Sequence, residues 1–187
     1  MQREGISGMD IKQLSVPLAI HQIEFRVQSI NNGGYAKILA YKNARVDQQV
    51  LDDVVGPLGW KREHSQGNHN CTVSVWCEDK HQWVPKEDTG TESNTEAQKG
   101  LASDSFKRAC FNWGIGRELY DYPEISVKLR DDEFQDAGGK KKGTWKLRPN
   151  DWTWFSQFKD GGLSFLGAKD ATGMRFQWGK FEKEQGA

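Results

Sequence analysis

Ile23, Phe25 and Val27 alternate with Glu24, Arg26 and Gln28, the two-residue period of a half-buried strand. Asn31-Asn32-Gly33-Gly34 follows as a turn signal, and Tyr35 to Lys42 reads as the returning strand of a hairpin. The period then changes. From Arg45 to Val55 a helix is expected, with Val46, Val50 and Val54 as its apolar stripe, widened by Leu51 and Val55. Asp47, Gln48, Asp52 and Asp53 are assigned to its water-facing side, and Gly56-Pro57 stops it. Alternation resumes in three segments, Trp60–Gln66, Cys71–Cys77 and Gln82–Lys86. Turns at Gly67–Asn70 and Glu78–His81 make them a meander. Cys71, Val73, Val75 and Cys77 share one face, Thr72, Ser74 and Trp76 the other, and Pro85 marks an edge or an ending.

A longer helix is predicted next. Ser93 with Glu96 has capping-box spacing, with Asn94 and Thr95 as competing caps. Ala97, Leu101, Phe106, Ala109 and Trp113 form an apolar stripe, and Gly114 and Gly116 bracket Ile115 beyond its end. Gly100 and Ala102 are small residues suited to close approach by a sheet or another subunit. Lys99, Ser103, Lys107 and Phe111 repeat at four-residue intervals on a second face, with Arg108 beside them. On periodicity alone this is the solvated basic flank of an ordinary amphipathic helix.

Downstream, residues 128–144 are charged and glycine-bearing and read as a flexible linker, in which Lys140-Lys141-Lys142 is a solvated run. Residues 145–187 are rich in aromatics. Leu163–Leu166 and Met174–Trp178, flanking Asp170–Gly173, predict a closing hairpin. Trp152, Trp154, Phe155 and Phe158 either stack on bases or pack a small β element, and packing is the commoner use. The expected class is α+β: an antiparallel sheet, hairpin plus three-stranded meander, backed by helices. The expected division is 1–127 as one domain, 128–144 as linker and 145–187 as an aromatic-rich hairpin region.

Composition narrows the chemistry. With 26 Lys and Arg against 26 Asp and Glu in 187 residues, the net charge is zero, so a nucleic-acid partner would need a local patch. The polar start and the lack of about 18 consecutive apolar residues point away from a secretion signal or membrane span. Three cysteines, Cys71, Cys77 and Cys110, at no metal-ligand spacing, read as reduced thiols of a cytoplasmic protein. His21, His64, His69 and His81 share no helix face and have no cysteine partner at zinc spacing, so no metal site is expected. Glu78, Asp79, Glu87 and Asp88 suggest a metal-dependent nuclease, but acids at turns and strand ends are commonplace. No Gly-Lys-Ser/Thr follows a strand, so no nucleotide cofactor is expected.

Three blocks carry a resemblance. Ala102–Asp121, ASDSFKRACFNWGIGRELYD, resembles the signature helix of single-strand annealing recombination proteins, the Rad-fifty-two type and its phage relatives, including the Sak recombinases. Ala40–Trp60, AYKNARVDQQVLDDVVGPLGW, resembles that family's first helix and following turn, and Glu87–Gly90 is the third block. The match runs from about residue 11 to residue 123. It implies a non-enzymatic, ATP-independent protein, phage or bacterial, that binds single-stranded DNA and anneals it during recombination or repair. A homo-oligomeric ring is implied too, with a single-strand-binding protein or an exonuclease as further partner. Carried over by position, the DNA contacts are Arg45, Lys107 and Arg108. The family places another arginine three residues after its Lys-Arg pair, where this chain has Phe111. Lys99 or Lys80 is then the substitute, or Phe111 stacks on a base. Two rival readings are a DNA-end-binding module without annealing activity and the metal-dependent nuclease.

Overall fold

A computed structural model describes residues 10–91, 97–136, 141–143 and 147–182, with backbone alone for 97–99, 135–136 and 141–143. In chain order the elements are β1 (Glu24–Ile30), β2 (Tyr35–Tyr41), α1 (Ala44–Val55), β3 (Trp60–Ser65), β4 (Asn70–Cys77), β5 (Gln82–Thr89), α2 (Ala97–Trp113), β6 (Ile125–Lys128), β7 (Phe134–Asp136), β8 (Lys141–Gly143), β9 (Thr153–Lys159), β10 (Gly162–Asp170) and β11 (Gly173–Gly179). Among the described residues every strand pairing is antiparallel. With the two α-helices among the described residues this is the α+β class the alternating periods predict. The chain divides into two compact units: residues 1–18 with 42–117, and residues 19–41 with 118–187.

In the first unit the meander β3–β4–β5 carries α2 on one face. Cys71, Val73 and Val75 of β4 are buried on that face, against Leu101, Phe106, Ala109 and Cys110 of α2. The Trp113 indole donates to Val73 O at 2.9 Å, fixing the far end of the helix. Gly90 ends β5 where a Cβ would lie 2.8 Å from Ser105 N, so the strand approaches the helix backbone more closely than any side chain permits. Pro85 sits inside β5, on the open edge of the sheet, where its missing N–H costs no ladder bond. β5 continues to Thr89, past the expected end at Lys86. The capping residues Ser93–Glu96 lie outside the described residues.

Helix α1 starts at Asn43, whose side chain accepts from Arg45 N at 2.9 Å, and ends at Gly56 with φ 77°. Its buried stripe corrects the expectation. Asp47, Leu51 and Val55 face inward, while Val46, Val50 and Val54 are half-buried. Asp47 is 0% exposed rather than water-facing, because Lys42, only 2% exposed, supplies a buried counter-ion just before the helix.

In the second unit β1–β2–β6 forms one three-stranded sheet and β9–β10–β11 another; β7 and β8 pair on their own. Phe25 stacks on Trp154 with ring centroids 3.6 Å apart, and Ala36, Leu129 and Leu147 close a core into which Val27, Ile30, Phe134 and Trp152 pack. Gly34, at φ 76°, leaves room for the Phe134 ring. Arg175, buried beside Trp152, is held by Glu133 at 2.7 Å and Asp170 at 2.8 Å. Burial would raise both carboxyls, but Arg175, with Arg130 and for Asp170 also Thr172, holds Glu133 and Asp170 below the usual carboxylate range. The boundary drawn at residue 127 falls within β6, and the stretch taken as linker contains the end of β6, a 3-10 turn at Asp131–Glu133, β7 and β8. The closing hairpin is β10–β11, and β9 adds the strand that the aromatic run concealed.

Candidate nucleic-acid interface

The basic residues singled out by spacing fall on two helices of the first unit. Arg45 is exposed in the first turn of α1, and Lys107 and Arg108 are half-buried near the middle of α2. Buried Asp47, two residues after exposed Arg45, lies within electrostatic reach of Lys107, where α1 packs against α2.

Beneath them is a buried ion pair. Lys42 Nζ donates to Asp47 Oδ1 and lies 4.2 Å from the centroid of the Phe111 ring. Gly116, at φ 71°, gives way to the Lys42 stem: a Cβ there would lie 2.7 Å from Lys42 Cδ. Burial pushes the Asp47 carboxyl up to about 6, and the charge and hydrogen bond of Lys42 only partly oppose it. The Cys110 thiol is raised well above its ordinary value by burial and by Asp47 beside it. Phe111 is therefore seated on a buried ammonium at the position where the resembled family carries a cation. Sequence spacing missed Lys42 and Asp47, since Lys42 precedes the helix and belongs to no periodic pattern.

The cations differ in their freedom. Arg108 uses Nε to reach Asp88 Oδ1 at 3.3 Å, a half-exposed pair of modest strength. Lys107 makes no hydrogen bond or ion pair among the described residues. Lys86 and Arg117 bind the carbonyls that end α2: Lys86 Nζ donates to Asn112 O at 2.6 Å, and Arg117 Nη2 to Phe111 O at 2.8 Å. Cations belong there, where the helix dipole is negative. Lys86 also lies 4.4 Å from the Trp113 ring centroid, and burial, then the charge of Arg117, lowers its affinity for a proton. Lys80 is exposed in the β4–β5 turn, at the end of that hairpin away from Gly90 and the start of α2. The Lys99 side chain lies outside the described residues.

Three of the four acids weighed for nuclease chemistry, Glu78, Glu87 and Asp88, are held in hydrogen bonds. Glu87 accepts from Asn70 at 2.8 Å and Thr72 at 2.7 Å, Asp88 from Arg108 and Asn112, and Glu78 from the Trp76 indole at 2.7 Å. Glu87 and Asp88 are consecutive on a strand and so point to opposite faces of the sheet. Among the described residues no group of three or more His, Cys, Asp or Glu is arranged to hold a metal ion. Nor is any described helix long and apolar enough to cross a membrane.

Residues 76–137, which take in β5, α2 and β6, match the model of a family described as Rad52/22 family double-strand break repair protein. The chain is 33% identical over 116 residues to the single-stranded DNA-binding protein DdrA of Deinococcus radiodurans, across 60% of this chain and 55% of that protein. It is 30% identical over 142 residues to DdrA of Deinococcus deserti, across 74% of this chain and 70% of that protein. The chain thus spans a little over half of one relative and about two thirds of the other.

Proposed function

This chain belongs to the Rad52/22 family, and from that premise we propose that it binds single-stranded DNA and anneals complementary strands in recombination or repair, without ATP. The observation that carries the reading is the placement of Lys107 and Arg108 on α2, inside the family-matched segment; Arg45, exposed in the first turn of α1, is proposed to add to the same surface. Cations so placed neutralise backbone phosphates and release counterions, which binds DNA without reading its sequence. Annealing asks for little more: strands held by their phosphates leave their base edges free to pair. Neither a catalytic residue nor a cofactor enters this mechanism.

A chain of zero net charge with a small basic patch gains from repetition. We infer a homo-oligomeric ring, in which the patch of each subunit continues into the next and many weak contacts act on one strand. Phe111 then contributes a half-exposed ring face to that surface, Lys99 and Lys80 extend it, and the setting is the cytoplasm of a bacterium or a phage-infected cell, with a single-strand-binding protein or exonuclease as partner.

A second reading is favoured by the names of the two DdrA relatives, which speak of single-strand binding alone. On it, the chain coats or protects DNA ends without pairing them. Mixing complementary labelled oligonucleotides with the protein, without nucleotide and across a salt series, separates the two. Duplex formation accelerated at low salt and lost at high salt supports annealing; tight binding with no acceleration leaves protection. Sedimentation as a monomer at micromolar concentration would contradict the ring.

A further inference from the structure

The open face of the β1–β2–β6 sheet carries a second arrangement of cations and rings, on residues that the α1–α2 patch does not use. The opposite face is apolar and closed, with Phe25, Ala36, Ile38, Ile125 and Val127 buried. Strand alternation therefore sends Arg26, Tyr35, Lys37, Tyr41 and Lys128 outward. The Arg26 guanidinium lies 5.3 Å from the centroid of the Tyr41 ring, and Lys128 Nζ 5.7 Å from that of Tyr35, which is 41% exposed. Arg26 stands opposite Leu39 and Lys128 opposite Tyr35, so the two cations are offset by four residues and two strands, about 13 Å by about 10 Å. Lys37 falls between them.

Charge on this face is only partly answered. Glu24 accepts from the Tyr41 hydroxyl at 2.6 Å, and Glu124 takes Lys37 at 2.7 Å. Arg26 and Lys128 have no carboxylate partner among the described residues. An exposed sheet face with cations set on tyrosine rings offers phosphate contacts and base-stacking surfaces side by side, and each base presents a ring face whatever its identity.

We propose that this face is a second contact surface for single-stranded nucleic acid, with Arg26 and Lys128 on phosphates and Tyr35 stacked on a base. The proposal rests on the single-strand-binding reading and adds a separate surface to it. The test is binding of the full chain to a labelled oligothymidylate across a salt series, comparing Arg26→Gln/Lys128→Gln, Tyr35→Phe, Tyr35→Leu and Lys107→Ala/Arg108→Ala with the parent. The double glutamine variant should melt like the parent and lower the slope of log affinity against log salt by about 1.4, the share of two phosphates on a single strand. Tyr35→Leu should weaken binding roughly tenfold while Tyr35→Phe keeps it, because only the ring is needed. Unchanged slope and affinity in the sheet variants, with Lys107→Ala/Arg108→Ala lowering both, would overturn this surface and leave the single-strand reading standing. A parent chain that fails to bind oligothymidylate at low salt would overturn both. Sheet variants that change sedimentation but not DNA binding would assign the face to a second copy of the chain, and the proposal would fall.

Discussion

Arg108 and Lys107 are neighbours in sequence with different surroundings, so their substitutions should not weigh the same. Arg108 already spends part of its charge on Asp88, 3.3 Å away, whereas Lys107 has no direct partner among the described residues. Lys107→Ala should therefore lower the salt slope of single-strand binding by about 0.7, the share of one phosphate, and Arg108→Ala by less. Asp88→Asn should act in the opposite sense, steepening the slope and tightening binding as Arg108 is released. Titration of the three variants against one labelled oligonucleotide decides it, and no effect from Asp88→Asn would mean that the pair does not compete with DNA. Asp47 makes a separate prediction about stability. Its carboxyl is raised to about 6 in the folded chain against 3.8 ordinarily, so the folded state takes up a proton first as pH falls. The sign follows: this group adds stability as pH drops from about 6 towards 3.8, and its charged form costs stability above that window. Asp47→Asn carries no such proton, so the difference in Tm between parent and variant should change across this window and level off on either side.

Helix α1 shows how far periodicity reaches and where it stops. Its residues fit a 46/50/54 stripe of valines, yet the buried one is 47/51/55, rotated by one residue and headed by a carboxylate. Hydrophobicity alone ranks Asp47 as surface; only a buried cation overturns that ranking, and Lys42 lies outside the helical register. The two stripes are separable by truncation. Leu51→Ala, at a fully buried position, should cost about 2–5 kcal/mol of unfolding free energy, and Val50→Ala roughly half of that or less. Equal losses in denaturant titrations would contradict the observed stripe. Elsewhere the pattern was readable for plain reasons. The first hairpin and the meander alternate cleanly with polar turns, and α2 announces its core face through Leu101, Phe106 and Ala109. β5 was read three residues short because Glu87, Asp88 and Thr89 lie on a polar edge strand, where each answers a partner rather than the core. β6 was missed because ISVK is a four-residue strand whose meaning comes from β2, nearly ninety residues away by the pairing of Ile38 with Ile125. For the candidate interface, spacing and resemblance supplied Arg45, Lys107, Arg108 and Phe111. They could not supply the Lys42 ammonium beneath Phe111, because a cation–ring contact across two elements leaves no period in the sequence.

At the scale of the molecule, the chain closes one unit with segments far apart in sequence. Residues 19–41 complete their core only with residues 118–187. A chain ended after Val127 keeps all of the first unit but strips the second of most of its partners. It loses Lys128 opposite Tyr35, Leu129 and Leu147 beside Ala36, and Trp154 stacked on Phe25. Re-exposing a buried aromatic or aliphatic side chain costs about 1.5–3 kcal/mol each, and a hairpin edged only by Ile125–Val127 and left without a covering layer is at best marginal in water. The shortened chain should therefore divide in behaviour. Hydrogen exchange is expected to stay slow in α1, β3, β4, β5 and α2 and to become fast through β1 and β2, with binding of an apolar dye as Phe25, Ala36 and Ile38 become accessible. Single-strand binding through Lys107 and Arg108 should survive, with a shallower salt slope than the full chain because Lys128 and the ordered sheet face around it are gone. Slow exchange in β1 and β2 of the shortened chain would show that the hairpin holds without residues 128–187. Loss of protection in α2 as well would show that the first unit does not stand by itself, and the contact pattern would then describe one cooperative fold rather than two.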